Sequence, residues 1–260
     1  MSAAARWYDL GPRLYSGFAI AVVGGVAIWM GGALFAILSC GVCGLMTWEA
    51  ARMFGARHAP WLGSLGAAVL LLAGWVPVLL ALPLLLVPGL VAAGRIPRDR
   101  LMLFGLVAWV MLASFALIWL RVEAGTGWIL WVIAVVIGSD VMGYFAGRML
   151  GGPKFWPRLS PKKTWSGTVA GWALAAVVGA LFAGPLGAGP WLVVMSVLVA
   201  FAGQMGDILE SAMKRRQEIK DSSALIPGHG GVLDRFDALL GASVMALLLW
   251  AFGLLPAAMT

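Results

Sequence analysis

Apolar residues run along this chain in nine long stretches separated by short polar segments, at roughly 14–30, 32–48, 62–79, 80–94, 101–120, 128–148, 167–184, 190–212 and 233–254. Most approach the ~20 residues that carry a helix across the hydrocarbon of a bilayer. The fourth is short and holds Pro83 and Pro88, which predicts a kink or a re-entrant segment. Little more than Gly31 and Gly32 parts the first two, which suits a tight helical hairpin. The fold class that follows is an all-α polytopic membrane protein with about nine transmembrane helices. There is no linker rich in Pro, Gly or Ser and no internal repeat, so residues 1–260 read as a single membrane domain.

The polar segments give an orientation. With a cytoplasmic N-terminus, one side of the membrane receives Arg6, Arg13, Arg52, Arg57, Arg95, Arg98, Arg100, Arg148, Lys154, Arg158, Lys162, Lys163, Lys214, Arg215, Arg216, Lys220 and Arg235. Of the 18 Lys and Arg residues only Arg121 falls on the far side. Cationic residues of short loops stay on the cytoplasmic side. The net charge of +7 is therefore a record of topology, and the chain is not expected to bind nucleic acid.

Composition agrees with this reading. The chain is 62% hydrophobic and 11% charged, with a mean hydropathy of +0.96, whereas a soluble domain carries about 25% charged residues. The first apolar run follows Arg6 and Arg13 like a signal peptide, but apolar runs recur to the end, so it reads as a first span. Cys40 and Cys43 lie within an apolar stretch with no second Cys or His pair. They read as small packing residues rather than half a metal site.

The acidic residues change the picture. Of 11, seven lie after residue 139: Asp140, Asp207, Glu210, Glu218, Asp221, Asp234 and Asp237. Asp140, Asp207 and Glu210 are inside or at the end of expected spans, where an ionised group costs about 2.5–3.5 kcal/mol on insertion scales. Asp207, Glu210, Ser211 and Lys214 share one helical face, as do Asp140, Tyr144 and Arg148, and again Asp234 and Asp237. Three helices thus present polar stripes near their cytoplasmic ends, and the expectation is that the stripes converge on one cavity open to the cytoplasm. Asp140 with Arg148, or Glu210 with Lys214, could be structural ion pairs. Clustered carboxylates without equal cations at that depth instead point to a bound cation. Mg²⁺ is held by one or two carboxylates together with substrate phosphates.

Two polar loops supply the opposite charge, from Gly147 to Gly167 and from Lys214 to Asp234. The first contains Ser160-Pro161-Lys162-Lys163-Thr164-Trp165, where lysines beside hydroxyls and amides make a phosphate-binding surface. The second runs Pro227-Gly228-His229-Gly230-Gly231-Val232-Leu233-Asp234-Arg235, a Gly-rich loop opening a helix whose N-terminus favours anions. These are the parts of metal-assisted phosphoryl or nucleotidyl transfer. His229 suits loop shaping or a hydrogen bond to phosphate better than general-base work, because a phosphate nucleophile is already ionised at pH 7.

Ser211-Ala212-Met213-Lys214-Arg215, then Lys220-Asp221-Ser222-Ser223, then Ile226 to Asp237 together resemble the signature of bacterial phosphatidate cytidylyltransferases, with no departure from it between Ser211 and Asp237. Ser160 to Trp165, and Asp140 with Tyr144 and Gly147, resemble further motifs of that family. Ser166 stands where the family more often has Glu or Gln. The resemblance covers residues ~138–237; the N-terminal half matches only in being hydrophobic.

The resemblance implies an enzyme of the bacterial inner membrane, its active site facing the cytoplasm, that joins CTP to phosphatidic acid and yields CDP-diacylglycerol and pyrophosphate. It implies Mg²⁺, a second, monovalent cation, and a homodimer. Residues 1–127 become a scaffold or dimerisation part and 128–254 the catalytic helices and loops. The expected catalytic set is Asp207, Asp234, Lys214, Asp221 and Asp237, with Asp207, Asp234, Asp237 and Glu210 as metal ligands. Substrate contacts are expected from Lys162, Lys163, Thr164, Ser211, Arg215, Lys220, His229, Gly230, Gly231, Arg235, Asp140 and Tyr144. A polyprenol kinase-like enzyme using CTP is the nearest rival. A secondary transporter is remote, because the carboxylates bias to one side and one half.

Overall fold

A computed structural model describes residues 10–157, 159–228 and 230–255, with side chains from residue 15 onward. Arg6, Arg158 and His229, and the side chain of Arg13, lie outside the described residues. The described chain forms α1 (Leu10–Met30), α2 (Gly32–Met53), α3 (Ala59–Ala73), α4 (Val78–Ala93), α5 (Arg100–Trp119), α6 (Thr126–Met149), α7 (Trp165–Ala183), α8 (Trp191–Arg216) and α9 (Leu233–Ala251). Each helix occupies one of the nine apolar stretches.

Five of them are long and apolar enough to cross a membrane by length and composition: α2, α5 with its extension to Ala124, α6, α7 and α8. The shorter α3 and α4 have 15 and 16 residues, and α9 carries Asp234, Arg235 and Asp237 in its first turns. Large apolar side chains such as Trp29, Trp75, Leu79 and Leu101 stand exposed. Such a surface is costly in water and natural in lipid, so the molecule is a multi-pass membrane protein.

The described chain holds one β-hairpin and one irregular helical turn besides its regular helices. Lys154–Trp156 (β1) and Ser160–Thr164 (β2) pair antiparallel within the first polar loop. Leu120–Ala124 continues α5 as a π-turn before Gly125, whose φ of 90° ends it. The expected hairpin between α1 and α2 is present, broken at Gly31 with φ 63°. Helix α4 runs through both Pro83 and Pro88.

The chain divides into two compact units. One comprises Met1–Ile118 with Lys214–Phe236, the other Trp119–Met213 with Asp237–Thr260. The second polar loop therefore belongs with the N-terminal helices. In the first unit α2 meets α3 through glycines: a Cβ at Gly44 or Gly63 would strike the other's carbonyl oxygen, at 2.9 and 2.7 Å. Backbones packed this closely leave room for no side chain, the usual basis of helix association in lipid. Cys40 and Cys43 are buried free thiols, with Cys43 Sγ 3.5 Å from Met111 Sδ, as packing residues should be.

In the second unit Gly143 and Gly147 on α6 face Gly167 on α7 in the same manner. Its apolar core gathers Trp128, Trp131, Val135, Leu192, Val199 and Leu249. Trp131 donates its indole N–H to Ser196 Oγ at 2.8 Å, and that hydroxyl donates to the Leu192 carbonyl oxygen at 2.7 Å, so both of these buried polar groups are satisfied within the core.

Candidate active site

The second unit places the first polar loop against the carboxylate of α8. The hairpin of β1 and β2 ends at Thr164, which caps α7: its Oγ1 accepts from Gly167 N at 3.2 Å. The Ser166 hydroxyl bridges Thr164 Oγ1 and the Gly151 carbonyl oxygen. Phe155 packs edge-on to Trp165, ring centroids 4.7 Å apart. These contacts fix the strand that carries Lys163. Its ammonium lies 2.6 Å from Asp207 Oδ2 and donates to the Gln204 carbonyl at 3.3 Å. The other carboxylate oxygen, Oδ1, accepts from Ser211 Oγ at 3.3 Å, one turn along α8.

Asp140 stands within electrostatic reach of Lys163 and Asp207. Asp140, Lys163, Asp207 and Ser211, from α6, β2 and α8, thus share one neighbourhood of the second unit, while the third stripe is divided, Asp234 falling in the first unit and Asp237 in the second. Arg148 hydrogen-bonds the Tyr144 hydroxyl at 2.7 Å, along the stripe it shares with Asp140. Lys162 and Tyr144 are exposed, Glu210 is fully buried, and Asp237 Oδ1 accepts from Ala238 N at 2.7 Å. Thr164, expected at substrate, has its hydroxyl engaged as a helix cap.

In the first unit the Gly-rich loop is built around Asp234. Oδ1 receives the Lys214 ammonium at 2.6 Å, and Oδ2 accepts from Ser222 N at 2.9 Å, Ser222 Oγ at 3.0 Å and Gly231 N at 2.7 Å. Its side chain is 4% exposed and that of Lys214 11%. Ile226 N donates to the Gly230 carbonyl at 2.8 Å, closing a turn through Pro227 and Gly228. Gly230 has φ 81°, and a Cβ there would come within 2.8 Å of Asp234 Oδ2, so glycine is needed on both counts. Lys220, Asp221, Arg215 and Arg235 are exposed, with the Asp221 side chain against Gly230.

Glu49 was not among the expected residues. It lies near the C-terminal end of α2, is fully buried, and accepts four hydrogen bonds from this loop: Ser223 Oγ at 2.6 Å, Val232 N at 2.9 Å, Ser222 Oγ at 3.3 Å and Leu233 N at 2.6 Å. Arg216 grips Asp99 at 2.7 and 3.0 Å, and Gln217 adds a bond at 3.2 Å. Hydrogen bonding from Arg216 holds the Asp99 carboxyl below the usual carboxylate range.

Among the described residues no group of three or more His, Cys, Asp or Glu stands together as a metal cage. Mg²⁺ does not require one, since it takes one or two carboxylates and completes its shell with water and substrate phosphate. The oxygen donors Asp140 and Asp207 are of the type such an ion takes, and the Asp207 side chain is 35% exposed, but its Oδ2 already holds the Lys163 ammonium at 2.6 Å, with which an arriving ion would compete. At Asp234 an arriving cation would compete with Lys214.

A family model described as the cytidylyltransferase family matches residues 12–252. A protein named phosphatidate cytidylyltransferase from Brucella abortus is 51% identical over 128 residues, covering 48% of this chain and 46% of the relative. One of the same name from Helicobacter pylori is 42% identical over 128 residues, 48% of each chain. One from Mycobacterium bovis is 38% identical over 146 residues, 54% of this chain and 47% of the relative. The match thus spans about half the length of these curated relatives.

Proposed function

This chain belongs to the cytidylyltransferase family, and from that premise we propose that it is a phosphatidate cytidylyltransferase, converting CTP and phosphatidic acid to CDP-diacylglycerol and pyrophosphate in phospholipid synthesis. The observation that carries the proposal is the Gly-rich loop. Its glycines, amides and cations are organised around Asp234, in the same stretch where the signature of that enzyme was read. The relatives' names support the choice of lipid.

The chemistry is an in-line displacement. A phosphate oxygen of phosphatidate bonds to the α-phosphorus of CTP. The bond from that phosphorus to the α,β-bridging oxygen breaks, and pyrophosphate carries away the electron pair. No covalent enzyme intermediate is formed and no base is needed. Lys163, held by Asp207, and Lys214, held by Asp234, are cations whose present partners are carboxylates and whose second partners are phosphates. Arg215, Lys220 and Lys162 are exposed and free to approach the triphosphate or the lipid head. Gly230 and Gly231 let the backbone of this loop come close to a phosphate, and His229 is proposed for a hydrogen bond to it.

Within the second unit Asp207, with Asp140 in electrostatic reach, would hold Mg²⁺, and Glu210 and Asp237 are further candidate carboxylates there; Asp234 is a candidate for metal in its own unit. The bound ion supplies neutralisation of the charge that develops on the leaving pyrophosphate. A second, monovalent cation and a homodimer complete the reading.

In this reading about nine helices cross the bacterial inner membrane, with the N-terminus and the polar loops in the cytoplasm, where CTP is found. The bias of cationic residues to one side supports this. Helices α6 to α9 and their loops carry the chemistry; the N-terminal helices serve as scaffold and contribute the packing around the second loop.

The test is direct. Purified protein in lipid–detergent micelles with CTP, phosphatidic acid and Mg²⁺ should release pyrophosphate and form CDP-diacylglycerol. CMP, CDP or a phosphorylated polyprenol as product would overturn the assignment.

A further inference from the structure

The Gly-rich loop must keep its cations and amides in register across Lys220 to Gly231, yet glycine offers the backbone no restraint of its own. What restrains it is Glu49. Each oxygen of that carboxylate accepts one hydroxyl and one backbone amide: Oε1 takes Ser223 Oγ and Val232 N, and Oε2 takes Ser222 Oγ and Leu233 N. The two hydroxyls lie where the loop begins and the two amides where it ends, so one planar group sets the distance between the ends. The amides belong to the start of α9, whose first N–H groups have no partner inside the helix. Four donors aimed at one side chain match an acceptor-only carboxylate and nothing else of that shape. Ser222 Oγ also meets Asp234 Oδ2 at 3.0 Å, which links Glu49 through one hydroxyl to the carboxylate that holds Lys214. A Cβ at Gly231 would lie 2.5 Å from Glu49 Oε1, so loop and carboxylate are packed without a gap.

We propose that Glu49, a residue of the second helix far from the signature in sequence, is a positioning residue that sets the geometry of the nucleotide-binding loop. The proposal rests on the cytidylyltransferase reading of that loop. Glu49→Gln keeps the size of the side chain but turns an N–H toward at least one amide donor. Glu49→Asp keeps the charge and draws it back by one methylene.

The experiment measures kcat and KM for CTP on the whole protein with phosphatidic acid, beside hydrogen exchange of all helices and of residues 220–236. A misplacement of about 1 Å costs on the order of 100-fold in rate, so Glu49→Gln should lose roughly that in kcat/KM. Exchange should quicken in 220–236 while the other helices remain as in the wild type, and Glu49→Asp should recover part of the loss. Wild-type kcat/KM in Glu49→Gln, or unchanged exchange in 220–236, overturns the proposal. So does a uniform rise of exchange over every helix, which marks a role in stability alone. If the wild type forms no CDP-diacylglycerol, the substrate reading falls by itself, and the exchange comparison still decides the role of Glu49.

Discussion

Replacing Asp234 by Asn removes half of a buried ion pair while keeping the side chain's shape. The carboxylate receives Lys214 on Oδ1 and three donors on Oδ2, with side chains 4% and 11% exposed. In its better rotamer the amide keeps its oxygen toward Ser222 and Gly231 and turns its NH₂ toward the Lys214 ammonium. The expected cost is that of breaking a buried pair, about 3–5 kcal/mol. Lys214→Met is milder, because Oδ2 keeps its three donors; the loss of one hydrogen bond to a charged group is worth about 1.5–3 kcal/mol. The double variant removes both charges and should cost less than the sum, with a coupling of about 1–3 kcal/mol. The assay is reversible unfolding of all four proteins in mixed micelles titrated with SDS. A coupling within about 0.5 kcal/mol of zero would refute the claim that these groups act as a pair.

Other expectations follow from the same contacts. Asp207→Asn disturbs a pair that is a quarter to a third exposed, so stability should change by no more than ~1 kcal/mol, while CDP-diacylglycerol formation is abolished; near wild-type turnover would remove Asp207 from the site. The Asp99–Arg216 pair should stabilise the fold at neutral pH. Because the folded carboxyl titrates below its unfolded value of ~3.9, this contribution is complete above that value and is lost as pH falls through the lower, folded one. The melting-temperature gap between wild type and Asp99→Asn should therefore close as the buffer is acidified below about pH 4, and a gap that widens there would contradict the pairing. Gly171→Ala places a methyl 2.8 Å from the Ser139 carbonyl oxygen and should cost about 1–3 kcal/mol in unfolding. Gly25→Ala, with nothing within 4 Å, is the neutral control.

The helices were readable because a lipid-facing helix announces itself by length and apolarity alone. The stripes on α6 and α8 were readable for a similar reason, since a carboxylate in such a helix has few bland explanations. Lys163 and Asp207, by contrast, lie far apart in sequence, and no local rule pairs them. The β-hairpin was hidden because Lys154–Trp156 is too short for an alternating pattern and Pro161 argues against a strand. Glu49 was missed for a definable reason. The second apolar stretch reads as ending at 48, beside Arg52, where an acidic residue looks like a solvated helix end. The helix in fact continues to Met53, which turns that end residue into a fully buried one. An acidic residue within one turn of a span boundary should be counted with the span.

The Glu49 clamp also bears on how the chain can be cut. A fragment beginning at Trp119 would contain every residue of the signature and every lysine proposed for phosphate. It would lack the helix that closes the loop on itself. Grafts and truncations in this family are best drawn so that the second helix travels with the Gly-rich loop, since the two behave as one part although some 170 residues of chain run between them.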